Sequence, residues 1–196
     1  MVNIVNVGYD STNYYVIAAE RGQLLVDVGW PGTLPKLRHT LTRAGIALTA
    51  ISHLLVTHYH PDHAGLAQEL KQQGVALIIV ELQLPAIPTL GRYMKPEQRY
   101  QAITLHDNLV VGIAESRALL RRLGLDGEVV ATPGHSDDSV SLILDAGLAF
   151  TGDLPPPHMA PDDSGTVEQS WAAINAHGVH TIYPGHGPAH QLRADR

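Results

Sequence analysis

The feature that most constrains this chain is a dense cluster of histidine and aspartate that directly follows a short apolar run. Residues 57–65 read Thr-His-Tyr-His-Pro-Asp-His-Ala-Gly, and the mainly apolar residues 51–56 before them predict a buried strand. Side chains alternate along an extended segment, so His58 and His60 can point to the same side and bind one metal ion. The strand therefore ends at a candidate metal site.

The turn after this strand carries two further potential ligands. Apolar residues at helical spacing follow Pro61, which places Asp62 and His63 on the turn that enters a helix, beside the first pair. Neutral imidazole and carboxylate suit zinc, iron or manganese, and the chain has no cysteine that could supply a thiolate. The motif therefore has room for two adjacent metal ions.

Four other strand-like runs each end with one histidine or aspartate in a glycine-containing turn. They are Leu25-Val26-Asp27-Val28-Gly29, Thr132-Pro133-Gly134-His135, Phe150-Thr151-Gly152-Asp153 and Tyr183-Pro184-Gly185-His186-Gly187. With the His-x-His-x-Asp-His motif at 58–63, they resemble the motifs of the metallo-β-lactamase-fold metallo-hydrolase superfamily. The set is similar to that of glyoxalase II, but only residues 188–196 follow the last motif, where that family carries a C-terminal glutathione-binding domain. We therefore expect a short, single-domain member without that domain.

The resemblance implies a ligand set for two metal ions. The first ion would be bound by His58, His60 and His135, the second by Asp62, His63 and His186, and Asp153 would bridge both. Two Zn²⁺ are the expected cofactors, with iron or manganese as alternatives. A metal-bound hydroxide would be the nucleophile, and Asp62 would act as the catalytic carboxylate that orients the attacking water and accepts a proton.

The implied reaction is hydrolysis of an ester, thioester, lactone or phosphoester of a small molecule. The early aspartate, Asp27, is expected to accept an N–H from a ligating imidazole, with capping of the next turn as the alternative. Three residues near the motifs are candidates for substrate contact: Tyr59, Tyr93 and His158.

Two other classes of protein stay open at this point. A mononuclear iron oxidoreductase resembling persulfide dioxygenases would use one His-His-Asp set in the same fold. A non-catalytic metal-binding protein would use the site for structure or sensing. The presence of Asp62 and Asp153 favours an enzyme, because a purely structural site has no use for a carboxylate that orients water.

The order of the predicted elements indicates an α+β fold. Three β-rich runs form an N-terminal meander, strands then alternate with helices, and a second set of strands precedes a closing helix. Helices are predicted over 62–73, over 115–123 and after a cap at Thr166 or Ser164. With the resemblance, this order implies one domain over 1–196, a four-layer αββα sandwich of the metallo-β-lactamase type with two mixed sheets flanked by helices.

Residues 84–112 interrupt the regular pattern. Prolines and glycines in this segment exclude a long helix, and a loop of this length inside a domain is usually a lid, a binding loop or an interface. We expect it to cover the site or to form a homodimer contact.

The composition excludes some partners. The 196-residue chain has a formal net charge of −6 at pH 7, so nucleic acid is not expected as a partner. No apolar run approaches the length that crosses a membrane, and the first residues lack a basic segment and a cleavage site. A cytoplasmic enzyme with a small-molecule substrate and no membrane contact is therefore expected.

Overall fold

The computed structural model describes residues 2–159 and 165–192. It contains two β-sheets, and the first is built from the N-terminal half of the chain. Its strands are β1 (Ile4–Asn6), β2 (Tyr15–Ala19), β3 (Gly22–Val26), β4 (Ile51–Leu55), β5 (Ala76–Val80) and β6 (Leu109–Val111). Their order in the sheet follows the chain. The pairs from β1 to β3 are antiparallel and those from β3 to β6 are parallel, so the sheet is mixed.

The second sheet is built from the C-terminal half and is also mixed. Its strands are β7 (Gly127–Ala131), β8 (Val140–Leu144), β9 (Leu148–Gly152), β10 (Thr181–Pro184) and β11 (His190–Gln191). They lie in the order β11-β10-β9-β8-β7, with β9 and β10 parallel and the other pairs antiparallel. Since β7 is antiparallel to β8 and β8 to β9, the chain leaves β7, β9 and β10 at the same end of the sheet.

The α-helices pack on the outer face of each sheet, and one of them packs against the apolar layer between the sheets. In the described ranges they are α1 (Leu34–Arg43), α2 (Pro61–Ala64), α3 (Ala67–Gln72), α4 (Ile113–Leu123) and α5 (Thr166–Ala176). Short 3-10 helices cover Leu48–Ala50, Glu81–Gln83, Ile87–Tyr93, Pro96–Gln98 and Pro157–Met159. None of the helices in the described ranges is long and apolar enough to cross a membrane.

The buried apolar side chains form three clusters, because successive residues of a strand point to opposite faces of its sheet. One cluster packs strand residues such as Val16 and Leu25 against α1 and α3 on the outer face of the first sheet. The middle cluster lies between the sheets and includes Ile17, Phe150 and the apolar side of α4. The third packs α5, through residues such as Ile174, on the outer face of the second sheet. The predicted four-layer α+β sandwich is confirmed.

The predicted continuous helix over 62–73 is wrong, because α2 and α3 are separate. The Leu66 N–H donates to the carbonyl of Gly29 at 2.8 Å instead of continuing the helical ladder. A Cβ on Gly65 would lie 2.8 Å from the same carbonyl oxygen, so the tight contact with the loop after β3 depends on glycine at this position. This contact interrupts the helix.

The predicted cap of the last helix also differs from the structure. Helix α5 begins at Thr166, and Gly165, with φ 72°, is the residue that precedes it in the cap position. Ser164, the other predicted cap, lies outside the described residues.

The segment 84–112, predicted to be a lid or an interface, packs on the first sheet over part of its length. It contains two 3-10 helices and strand β6, and Ile87, Leu90 and Ile103 are buried in the cluster under the first sheet. Its exposed apolar residues are Tyr93, Leu105, Leu109 and Val110. The segment therefore packs on the body of the protein, and its role as a homodimer contact stays a prediction.

Candidate metal centre

Strand ends from both sheets converge on one edge of the sandwich. Asp27 follows β3, the motif 57–63 follows β4, and His135, Asp153 and His186 follow β7, β9 and β10. All seven predicted metal ligands are brought together there by chain segments that are far apart in sequence.

The ligand atoms form three overlapping groups, each with its atoms within 4.8 Å of one another. The groups are His58, His60 and His135; His58, His63 and Asp153; and Asp62, His63 and His186. The first and third are the two histidine-rich sets expected from the sequence. The second group places the Asp153 carboxylate between them.

Asp153 contacts both sets through its two oxygens. Its Oδ2 lies 3.6 Å from His135 Nε2 and 3.4 Å from His186 Nε2, and its Oδ1 lies 3.2 Å from His63 Nε2. Asp62 Oδ2 lies 3.3 Å from the same nitrogen of His186. This arrangement is compatible with the bridging position predicted for Asp153.

The surroundings of the cluster favour neutral imidazoles at His58 and His135 and a charged pair formed by His63 and Asp153. Burial, followed by the neighbouring imidazoles, lowers the pKa of His58 well below its usual value, and burial also lowers the pKa of His135. Burial alone would lower the pKa of His63, but the carboxylates of Asp27 and Asp153 outweigh it and raise the pKa to about 10. The pKa of Asp153 is lowered because the nearby histidines outweigh its burial.

The residues of this cluster fit a bound metal ion. His63 Nε2 and Asp153 Oδ1 are buried and lie 3.2 Å apart, and neither makes a hydrogen bond of good geometry to a described residue. Buried polar atoms are rarely left this way without a ligand or an ion. A Cβ on Gly185 would collide with Asp153 Oδ1 and lie 2.7 Å from the His63 ring, so the backbone approaches the site as closely as glycine permits. Imidazole and carboxylate donors suit zinc, iron or manganese.

Asp27 holds Thr57 and His63 of this site through hydrogen bonds. Its Oδ2 accepts hydrogen bonds from Thr57 Oγ1 at 2.8 Å and from His63 Nδ1 at 2.9 Å, and its Oδ1 accepts the Thr57 backbone N–H at 2.6 Å. Asp27 has φ 61°, a strained backbone conformation for a residue other than glycine. The carboxylate therefore fixes the orientation of the His63 ring, as the sequence predicted, and leaves Nε2 to face the cluster.

The N-terminal loop supplies contacts that sequence reasoning missed. Thr12 Oγ1 donates to Asp62 Oδ2 at 3.0 Å, and the carbonyl of Ser11 accepts the Nδ1–H of His186 at 2.7 Å. The Asn13 backbone N–H donates to the Gly185 carbonyl at 2.7 Å. This loop thus orients two of the predicted ligands and fixes the loop that carries His186.

The three residues predicted to contact substrate differ in their exposure and in their distance from the cavities. Tyr93 is 57% exposed, and its ring lies edge-on to His60 with centroids 5.7 Å apart. Tyr59 is only 2% exposed and packs in the core, and it also lines the smaller of the two cavities described next. His158 is exposed and does not line the cavities described next, although its neighbours Pro157 and Met159 line one of them.

Two cavities border the cluster. The larger, of about 830 Å³, is reached past His135, Asp153 and His186 and is walled mainly by apolar side chains near α5. The smaller, of about 550 Å³, is bordered by His60, Tyr93 and the loop 135–138. Either cavity could therefore hold part of a substrate next to the cluster.

The fold and the cluster together define a metallo-hydrolase type of protein. The family model of the metallo-beta-lactamase superfamily matches residues 7–191. The chain therefore belongs to the metallo-beta-lactamase superfamily, as its motifs predicted.

Several relatives match most of this chain. A probable metallo-hydrolase of Methanocaldococcus jannaschii is 27% identical over 92% of this chain and 89% of the relative. A lactamase-like protein of Pestalotiopsis microspora is 30% identical over 90% of this chain and 49% of the relative. An atrochrysone carboxyl ACP thioesterase of Claviceps purpurea is 31% identical over 91% of this chain and 52% of the relative. The chain spans about half the length of these last two relatives.

The fold is also similar to solved structures. A metallo-beta-lactamase family protein from Thermus thermophilus superposes with a TM-score of 0.70 at 19% identity. The match covers 96% of this chain and 73% of that chain. At this identity the likeness supports the fold alone.

Proposed function

We propose that this chain is a binuclear, zinc-dependent hydrolase of a carboxylic ester or thioester. The observation that carries the proposal is the convergence of seven imidazole and carboxylate donors beside an apolar cavity, with Asp153 between the two histidine sets. His58, His60 and His135 would hold one ion, Asp62, His63 and His186 the other, and Asp153 would contact both. When bound, the ions supply Lewis acidity and make water reactive near neutral pH.

The residues of the chain itself have separable tasks in this reaction. Asp62 is the proton acceptor, and the hydrogen bond from Thr12 fixes its carboxylate in orientation. Asp27 holds the His63 ring through Nδ1, and the carbonyl of Ser11 holds the His186 ring in the same way. The cavity beside these residues binds the substrate and keeps water away from its apolar part.

An acyl substrate is favoured over a phosphoester by the surroundings of the cluster. No lysine or arginine of the described residues lines either cavity, whereas such side chains commonly neutralise a phosphate group. Among the relatives, the protein of Claviceps purpurea is named a thioesterase. Lactones contain the same acyl carbon and stay within the proposed class.

The experiment is a reporter panel with the zinc-loaded protein. The panel contains an acyl thioester, an acyl ester, a lactone and a phosphodiester, and the matched variant is Asp62→Asn. We expect turnover of the acyl substrates, its loss in the variant, and little turnover of the phosphodiester. Turnover of the phosphodiester alone, or of nothing in the panel, would overturn the proposal.

The mononuclear iron oxidoreductase is tested in the same preparation. The names of the relatives give it no support, since they describe hydrolases, lactamase-like proteins and thioesterases. One iron per chain, with oxygen consumption on a persulfide, would replace the hydrolase by this alternative.

A further inference from the structure

The larger cavity is continuous with the metal centre. Three of the predicted metal ligands, His135, Asp153 and His186, form its inner end, together with the ends of β9 and β10. A substrate whose reacting carbon lies at the cluster can therefore extend one of its two ends into this cavity, which we call the α5 groove.

The walls of the α5 groove are mainly apolar, and Thr151, Asn175 and His190 are the polar lining residues outside the metal cluster. Leu154, Trp171 and Ile182 are buried side chains that line it. Prolines 155–157 and Met159 continue the wall outward. Apart from Asp153 at the inner end, no aspartate, glutamate, lysine or arginine in the described part of the chain lines the groove.

The proline wall is held in place by a specific hydrogen bond. Trp171 Nε1 donates to the carbonyl of Pro155 at 2.8 Å, which ties α5 to the loop that follows Asp153. Prolines restrict the backbone further, so this wall is stiff.

We propose that the α5 groove binds the apolar acyl part of the substrate, so that the enzyme prefers esters or thioesters of medium- and long-chain carboxylic acids. The inference rests on the proposed function and names its substrate class. A volume of about 830 Å³ is within the range of cavities that bury a whole small ligand. An uncharged wall favours a hydrocarbon chain, because a polar chain would lose its hydration without replacement.

The first test measures kcat/KM for straight-chain acyl thioesters of two to twelve carbons with one common leaving group. Each methylene buried in the groove should raise kcat/KM roughly two- to fourfold, until the chain outgrows the groove. Met159 is 64% exposed, so Met159→Trp narrows the groove without disturbing the core and should shift the preference to shorter chains. Leu105→Trp, an exposed position far from the groove lining, is the matched control and should leave the profile unchanged.

The second test measures binding without turnover. The chain has two tryptophans, so a Trp30→Phe background leaves Trp171 as the only one, and its fluorescence reports on the groove. We expect 1-decanol, an uncharged probe, to change this emission with saturation, and ethanol at equal concentration to leave it unchanged. Met159→Trp is omitted here because it would add a second signal.

The two tests separate this inference from the proposed function. Turnover with a kcat/KM that does not depend on chain length, and no response to 1-decanol, would overturn the groove assignment. The proposal of a hydrolase would not be affected by this result. A saturating response to 1-decanol with no turnover of any ester or thioester would support the groove and contradict the proposed hydrolase.

Discussion

The carboxylate of Asp138 accepts a hydrogen bond from the backbone N–H of Tyr59 at 2.7 Å. This bond joins the loop that carries His58 and His60 to the loop that carries His135. Gln83 strengthens the junction, because its buried side-chain amide lies within hydrogen-bond distance of the carbonyls of Thr57 and Asp138. The segments that carry His58, His60 and His135 are thus joined by side-chain contacts to their backbones, and these contacts need no metal.

Removal of this junction should destabilise the site. In Asp138→Ala the buried N–H of Tyr59 loses its acceptor, which should cost about 1–3 kcal/mol of the free energy of unfolding and weaken metal binding. Asp137→Ala, at the exposed neighbouring position, is the control and should change neither property. Urea unfolding and competition with a chelator measure both, and identical behaviour of the two variants would contradict the role of Asp138.

Replacement of Asp27 should loosen His63. The amide of Asp27→Asn can accept fewer of the three hydrogen bonds that Asp27 now accepts, so the affinity for metal should fall roughly 10- to 100-fold. Asp10→Asn is a matched control, since Asp10 also has a positive φ, of 57°, but makes an exposed ion pair with Lys36. Equal metal affinity in the two variants, by titration with zinc, would show that Asp27 does not orient a ligand.

Loss of a central ligand should remove metal and activity together. We expect His60→Ala and Asp153→Ala to abolish hydrolysis and to lower the metal content of the purified protein. His158→Ala should keep its full metal content, because His158 lies outside the cluster. Elemental analysis measures the metal content of each variant. Full metal retention in Asp153→Ala would refute the bridging assignment.

The metal-free protein should become less stable as the pH rises from about 7 to 10. The pKa of His63 is raised in the folded chain from 6.5 to about 10, chiefly by Asp27 and Asp153 against the effect of burial. A raised pKa contributes stability that is complete below the unfolded value and is lost as the pH passes the folded value. Urea midpoints of chelator-treated protein measure this loss, and His63→Gln should flatten it. A midpoint that rises with pH in this window would contradict the charged pair.

The sequence was sufficient to predict that these side chains meet, because each of the segments that carry them follows a strand. The parallel strands of a sheet deliver their ends to one edge, so His135, Asp153 and His186 were expected to meet the first cluster. Glycines beside these residues indicated close backbone approach, and the contact of Gly185 with Asp153 and His63 is of that kind. The superfamily and the four-layer fold followed from the same motifs.

The remaining parts of the site could not be predicted, because they depend on contacts between distant segments. Nothing local to Thr12 indicates that it donates to Asp62, since the bond spans 50 residues. The same is true of Asp138 and Tyr59, which are separated by 79 residues. The break between α2 and α3 also arises from a distant partner, the carbonyl of Gly29, which overrides a local pattern that favours one continuous helix.

The central claim is that these seven side chains hold metal ions, and anomalous X-ray diffraction from crystals grown with zinc tests it most directly. We predict two anomalous peaks, one among His58, His60 and His135 and one among Asp62, His63 and His186, with Asp153 beside both. Zinc bound elsewhere on the chain, with no peak inside this cluster, would contradict the account.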